Sequence, residues 1–285
     1  MHWFNRDKTE NELAERTRVW ALVFDTDKNK DVDLHLPRYL YFAKQEPRKW
    51  NRVRWRDLVT GSCIVALGFR LYVITARPPS ALDVSASDYA VSDPSGSCLT
   101  ASTATIPTPL RTVYLGVVEH ESTEHGCALI QLDAEYLPCK LAGERMTGTA
   151  IDIDFEWLSG QAALPQGNSD GLFWRQKVKG QREALEGEYA VEARGERLTR
   201  RLVRFKGEPS IPAQDRGAIV MSREDKTIGI ALGVTEAKDD QIGQNMVLQI
   251  LPFDELFWRD IVSHVSRIGH NGPVYEVWVD MRIDR

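Results

Sequence analysis

Residues 61–79 read GSCIVALGFRLYVITARPP, and this stretch decides the fold class. It holds two runs rich in β-branched and aromatic residues, which Gly68 separates and Pro78 and Pro79 end. Such residues favour strands, whereas glycine and proline favour the turns between strands. The stretch is therefore predicted to form two neighbouring strands of an antiparallel sheet.

Short runs of the same kind recur through most of the chain. One set lies before residue 134 and a second set follows, at residues 149–158, 177–185, 188–193, 200–207, 218–222, 227–234 and 246–253. Over residues 253–268, apolar side chains instead recur every three or four positions, which predicts a helix with one buried face. The sequence thus predicts a mainly β protein, with two groups of about six strands followed by one helix.

Composition excludes several classes of function. The chain has 285 residues and a net charge of −5, so no strong positive field draws nucleic acid. No run approaches the roughly 18 apolar residues of a membrane helix, and the charged N-terminal segment has no apolar core of a signal peptide. We therefore expect a cytoplasmic protein without a membrane span. The four cysteines form no CxxC pair and are expected to be free thiols.

Motifs for metals and cofactors are missing from the sequence. None of the six histidines has HExxH or HxxxH spacing, and no glycine-rich phosphate loop or dinucleotide fingerprint occurs. We expect neither a metal nor a cofactor.

Two basic stretches leave three interpretations open. RKWNRVRWRD at residues 48–57 and RLTRRLVRFKG at residues 197–207 alternate basic with apolar residues. Such a pattern fits a strand with one solvated face, a surface for an acidic protein, or a track for a nucleic-acid backbone.

Three segments, in this order, resemble the chymotrypsin/trypsin-like serine protease family. They are residues 61–79, TEHGCALIQLD at 123–133, and AQDRGAIVMSREDKTIGIALGV at 213–234, and residues 251–265 resemble the closing helix of that family. In this resemblance the catalytic histidine falls on Pro78, the aspartate on Gly126 and the nucleophilic serine on Arg216. The glycine of the oxyanion hole falls on Gln214.

The resemblance implies a trypsin-like pair of six-stranded β-barrels with a C-terminal helix. The implied divisions are an N-terminal extension packed on the barrel (1–50), a first barrel (51–145), a second barrel (146–252), the helix (253–268) and a C-terminal strand or tail (269–285).

The residues at the aligned positions imply a function without peptide cleavage. Proline and glycine carry no titratable side chain, and arginine stays protonated and is no nucleophile. The expectation is a pseudoprotease that is not an enzyme and that acts as a protein-binding adaptor or regulatory subunit. Its binding residues are expected at Arg77, Asp215, Arg216 and Gly217.

The partner implied by the resemblance is another protein, such as a protease or signalling component of the same system. Bacterial defence or stress-signalling modules, CRISPR-linked ones among them, are the implied setting. Two alternatives stay open. One is an active serine endopeptidase with a displaced site, near which Glu124, His125, Ser210 and Ser222 lie in the alignment. The other is a nucleic-acid-binding β protein that uses the basic strands.

Overall fold

A computed structural model describes residues 16–24, 37–67, 70–78, 104–133, 153, 156, 158, 169–176, 178, 182–194, 197–205, 213–236, 246–267 and 279–280. The strands are β1 (Arg18–Val23), β2 (Arg38–Ala43), β3 (Leu58–Gly61), β4 (Cys63–Leu67), β5 (Arg70–Ala76), β6 (Arg111–Ser122), β7 (Cys127–Leu132), β8 (Ser169–Gln176), β9 (Arg182–Arg194), β10 (Arg197–Phe205), β11 (Ile219–Met221), β12 (Thr227–Glu236), β13 (Met246–Pro252) and β14 (Val279–Asp280), and the helix α1 spans Glu255–Arg267.

The strands form two antiparallel sheets. The first has the order β14-β4-β5-β7-β6-β1-β2-β3, and the second closes into a barrel in the order β10-β13-β12-β11-β8-β9. Strands β3 and β4 lie at or near opposite ends of the first sheet, yet only Ser62 separates them in the chain. The first sheet therefore curls back on itself and is nearly a closed barrel. The prediction of a mainly β fold with a late helix is confirmed.

The first sheet differs in its strand count from the predicted six. One bent strand is divided at Ser62 into β3 and β4, and the two-residue strand β14 adds a further pair. Strand β1 pairs with β6, and β2 pairs with β3. Residues that the resemblance assigned to an N-terminal extension are therefore part of this sheet. The exact domain boundaries stay a prediction.

Strand β5 explains why the opening stretch is apolar at most positions from Leu71 to Ala76. Leu71 and Val73 lie in the core of the first sheet, whereas Tyr72, Ile74 and Ala76 lie in a second core. That second core also contains residues of β11, β12 and helix α1, and it is named here the shared core. Successive side chains of a strand point to opposite faces, so a strand that is buried on both faces is apolar at nearly every position. Thr75 is the exception, and its hydroxyl donates to the Thr60 carbonyl.

Helix α1 covers the junction of the two sheets. Phe257 and Ile261 are buried in the shared core, and the His264 ring stacks on His120 of β6 with 3.5 Å between ring centroids. Burial, and then the neighbouring His264 and His125, lower the pKa of His120. A lowered histidine pKa means that the folded state favours the neutral ring. The free energy of unfolding therefore decreases as the pH falls and the ring must be protonated.

Two cysteines also lie in the shared core. Cys63 and Cys127 are free thiols, as predicted, and burial raises the pKa of both to about 12. Both are therefore neutral, apolar packing groups at physiological pH. Cys98 and Cys139 lie outside the described residues.

Arg175 is a charged residue on the inward face of β8. Phe173, two positions earlier, lies in the core of the second barrel, and Arg175 itself has no exposed surface. Its guanidinium donates to the Glu183 carboxylate and lies 3.8 Å from the carboxylate of Asp215, which is also buried. The two carboxylates offset part of the cost of burying this cation, while its Nε and Nη1 have no hydrogen-bond partner among the described residues.

We expect Arg175→Met to lower the free energy of unfolding by about 3 kcal/mol, because the change leaves Asp215 buried without this cation. Urea denaturation followed by tryptophan fluorescence measures the loss. The matched control is Arg182→Met, since Arg182 is 39% exposed and pairs at 2.9 Å with the exposed Asp225. That change should cost less than about 1 kcal/mol, and equal losses in the two variants would contradict the assigned role of Arg175.

Candidate functional site

The candidate site is built around the turn at residues 213–217, which lies between the two sheets. Thr60 of β3 donates its backbone N–H to the Arg216 carbonyl at 2.6 Å and its hydroxyl to the Gln214 carbonyl at 2.7 Å. On the other side, the Gly217 N–H donates to the Ala231 carbonyl of β12 at 2.7 Å. The turn is therefore hydrogen-bonded to both sheets at once.

The side chain of Arg216 lies in the gap between the sheets. Its Nε donates to the Leu232 carbonyl of β12 at 2.7 Å, and one terminal nitrogen donates to the Arg77 carbonyl at 2.9 Å. Arg77 directly follows β5 of the first sheet. The guanidinium thus links the second barrel to the end of the first sheet, and it points into the gap instead of into solvent.

The three aligned positions lie close together. The Arg77 N–H donates to the Gly126 carbonyl at 2.8 Å, while the Arg77 carbonyl accepts from Arg216. Pro78 is next in the chain and half-buried. Proline, glycine and arginine stand at this point, so these three side chains supply neither a nucleophile nor a proton acceptor. The binding role expected of Arg77, Asp215, Arg216 and Gly217 stays a prediction.

Asp215 is part of the turn and 5% exposed. The structure brings the cation of Arg175 to 3.8 Å from the Asp215 carboxylate. Sequence reasoning missed Arg175. The signal was its place two residues after Phe173 in an alternating strand, where an inward position is expected to be apolar.

Gly217 permits the close approach of the turn to the first sheet. Its φ is +91°, and a Cβ there would overlap with the Thr60 carbonyl oxygen and lie 2.5 Å from Thr75 Oγ1. Thr75 is held in place because its hydroxyl donates to the same Thr60 carbonyl at 2.8 Å. Only a residue without a side chain fits here.

We expect Gly217→Ala to destabilise the protein by about 3 kcal/mol or more, since both the backbone angle and the space exclude a methyl group. Gly126→Ala is the matched control. Gly126 also has a positive φ, +67°, but its added Cβ would meet only the two Leu232 methyl carbons, at an ordinary 3.5 and 3.8 Å. That change should cost about 1–2 kcal/mol. Urea denaturation compares the two, and an equal or reversed order would contradict the assigned packing.

A histidine and a carboxylate meet beside Gly126. His125 Nε2 lies 3.1 Å from Asp260 of helix α1, and the His125 backbone N–H donates to Ser122 Oγ at 3.1 Å. The imidazole also packs edge-on against the Phe257 ring, with 5.7 Å between the ring centroids. A carboxylate that accepts a hydrogen bond from an imidazole orients the ring. Sequence reasoning noted His125 but missed Asp260, because only tertiary packing brings them together.

The other groups considered for a displaced site are less well placed. Ser222 is 6% exposed, and Ser210 lies outside the described residues. Glu124 is exposed on the turn between β6 and β7.

Charged side chains form the rim of the gap near Arg77. Arg77 Nε lies 3.2 Å from the Glu121 carboxylate, and both groups are about one third exposed. Together with His125 and Asp260 they make a polar rim, named here the cleft rim.

The structure gives two further limits on function. In the described part of the chain, no cluster of three or more histidine, cysteine, aspartate or glutamate side chains could hold a metal ion. Among the same residues, no helix has the length and apolar character that crossing a membrane requires.

Comparisons with known proteins give structural similarity alone. Neither a protein-family model nor a curated protein matches the chain. A solved structure of a glutamic acid specific serine protease that utilizes a histidine triad in substrate binding is 14% identical, covers 75% of this chain and 94% of its own, and has a TM-score of 0.36. An HtrA-type protease, AlgW, with a tripeptide is 11% identical, covers 96% of this chain and 77% of its own, and also has a TM-score of 0.36.

The fold is mainly β and barrel-like, and the two solved structures are of trypsin-like proteases. Both of these solved structures are of serine proteases, which contradicts the expectation that the chain is not an enzyme. That expectation rested on three aligned positions. Such positions carry no information about groups that folding brings together elsewhere, as it does His125 and Asp260. The expectation is not retained.

Proposed function

We propose that the protein binds another protein at the cleft rim and acts as an adaptor or regulatory subunit. The observation that carries the proposal is the placement of the Arg216 side chain. Its guanidinium donates to carbonyls of both sheets, Leu232 and Arg77, and so occupies the gap between them. Because the Arg216 side chain fills the gap, the rim of the gap is the surface on which a partner protein can be recognised.

The rigidity of the surroundings supports this function. The turn at 213–217 is hydrogen-bonded to β3 and to β12, and Ser62 Oγ donates to the Gly217 carbonyl at 2.6 Å. A surface that is fixed before binding loses little conformational entropy when the partner arrives. Its half-exposed charges, Arg77 and Glu121, supply electrostatic complementarity, which selects partners and steers their approach.

Photo-crosslinking in the native host tests the proposal. We expect a photoreactive phenylalanine analogue at Glu121, on the cleft rim, to crosslink one main partner that mass spectrometry identifies. The same analogue at Glu224, an exposed position in the turn between β11 and β12, should give no such product. Crosslinks to chaperones alone, or the same products from both positions, would remove the support for a partner at the rim.

A second candidate function, serine peptidase activity at a displaced site, is favoured by one observation. His125 Nε2 lies 3.1 Å from Asp260, and Ser122 lies beside the His125 backbone. A base and the carboxylate that orients it are two of the three groups of a catalytic triad.

A fluorophosphonate probe tests this second candidate, because it labels only activated serines. Peptidase activity predicts labelling of the folded protein at a single serine, and loss of that labelling in His125→Gln. The matched control is His264→Gln, which changes a half-buried histidine of α1 outside the His125–Asp260 pair. Absence of labelling in the folded wild-type protein would exclude a peptidase of this kind.

A further inference from the structure

The basic stretch at residues 48–57 is held rigidly on the first sheet. Trp50 is 9% exposed and lies in a small core with Val53 and Ile106. Its ring packs edge-on against Tyr41 of β2 at 5.5 Å. The Ile106 N–H donates to the Val53 carbonyl at 3.1 Å. The backbone of the stretch is therefore fixed by packing and by hydrogen bonds.

The stretch borders a cavity of about 390 Å³. The lining residues are Tyr41, Pro47, Arg48, Lys49, Arg52, Val53 and Asp57. Three of them are cations, and all three cations are exposed. None of the ion pairs found among the described residues involves Arg48, Lys49 or Arg52.

The single acidic residue of the lining is already engaged. One Asp57 oxygen accepts the Arg54 backbone N–H at 2.7 Å, and the other lies 3.9 Å from Arg56 Nε. The three cations therefore exceed the negative charge of the cavity wall, and they are available to an anion from outside.

We propose that this cavity binds a carboxylate-bearing peptide segment of the protein partner. The inference rests on the proposed function and names the chemistry of the segment that is recognised. Arginine and lysine supply the donors that carboxylates accept, with arginine able to bind both oxygens. Pro47, Val53 and the Tyr41 ring supply apolar wall, which suits the carbon chain of an acidic residue and its apolar neighbours.

The preference for carboxylates over nucleic-acid phosphates rests on base stacking. Trp50 of the basic stretch is buried and offers no face on which a base could stack.

Fluorescence anisotropy of labelled octaglutamate with the full chain tests the inference. Octaglutamine and a nine-nucleotide oligothymidine serve as comparison probes. We expect octaglutamate to bind, and to bind at least tenfold more weakly to the variant R48E/R52E. The matched control R223E/R259E changes the total charge by the same amount at two exposed arginines away from the cavity, and it should shift the Kd less than threefold.

Three results would overturn the inference. They are octaglutamate that does not bind or binds unchanged to R48E/R52E, octaglutamine binding as tightly as octaglutamate, and oligothymidine binding more tightly than both, which would indicate a nucleic-acid surface. Failure here is distinguishable from failure of the proposed function. A partner crosslinked at Glu121 while octaglutamate does not bind would reject the cavity and keep the function. Octaglutamate binding without a crosslinked partner would reject the proposed function and keep the anion-binding cavity.

Discussion

The close contact between the turn at 213–217 and strand β3 is the constraint on which the rest of the structure depends. The Thr60 carbonyl and the Thr75 hydroxyl occupy the space in which a side chain at position 217 would lie, so glycine is required there. The same approach lets the Thr60 N–H reach the Arg216 carbonyl. Because the turn also bonds to β12, this contact fixes how the second barrel sits on the first sheet.

This placement of the second barrel lets the Arg216 side chain bond to both sheets. Its Nε and one terminal nitrogen find acceptors on opposite sides of the gap, in Leu232 and Arg77. A guanidinium presents several donors in a rigid planar fork, whereas the ammonium of lysine is a single compact charge on a flexible stem. Arginine is therefore suited to bridging two carbonyls that diverge. The bridge also takes up the Arg77 carbonyl, which is no longer freely available to a peptide lying along the end of β5.

Local sequence pattern was sufficient for some elements and insufficient for others. The run from Leu71 to Ala76, rich in β-branched and aromatic residues, indicated a strand, and the three-to-four spacing after Phe253 indicated α1. Both signals arise within one element. The contacts of the site join residues such as Thr60 and Arg216, which lie far apart in the chain, and no period encodes such pairs. Only the resemblance between ordered segments suggested that positions 78, 126 and 216 meet.

The residues that the sequence missed share a physical cause. Arg175 is tolerated inside the second barrel because Asp215 and Glu183 lie beside it, and neither neighbour follows from the strand pattern around Arg175. Asp260 is half-exposed on α1, and it pairs with His125 only because the helix packs beside that residue. In both cases the significance of a charge depends on its tertiary partner.

The cleft rim and the basic stretch are joined through one short strand. Residues 55–57 and strand β3 both contact the 3-10 turn Ala213–Asp215, and β3 begins directly after Asp57. The cations at 48–52 and the bridge at Arg216 are therefore parts of one continuous hydrogen-bonded and packed region. Under the proposed function, a partner segment bound at the first would rest on the same backbone that holds the second.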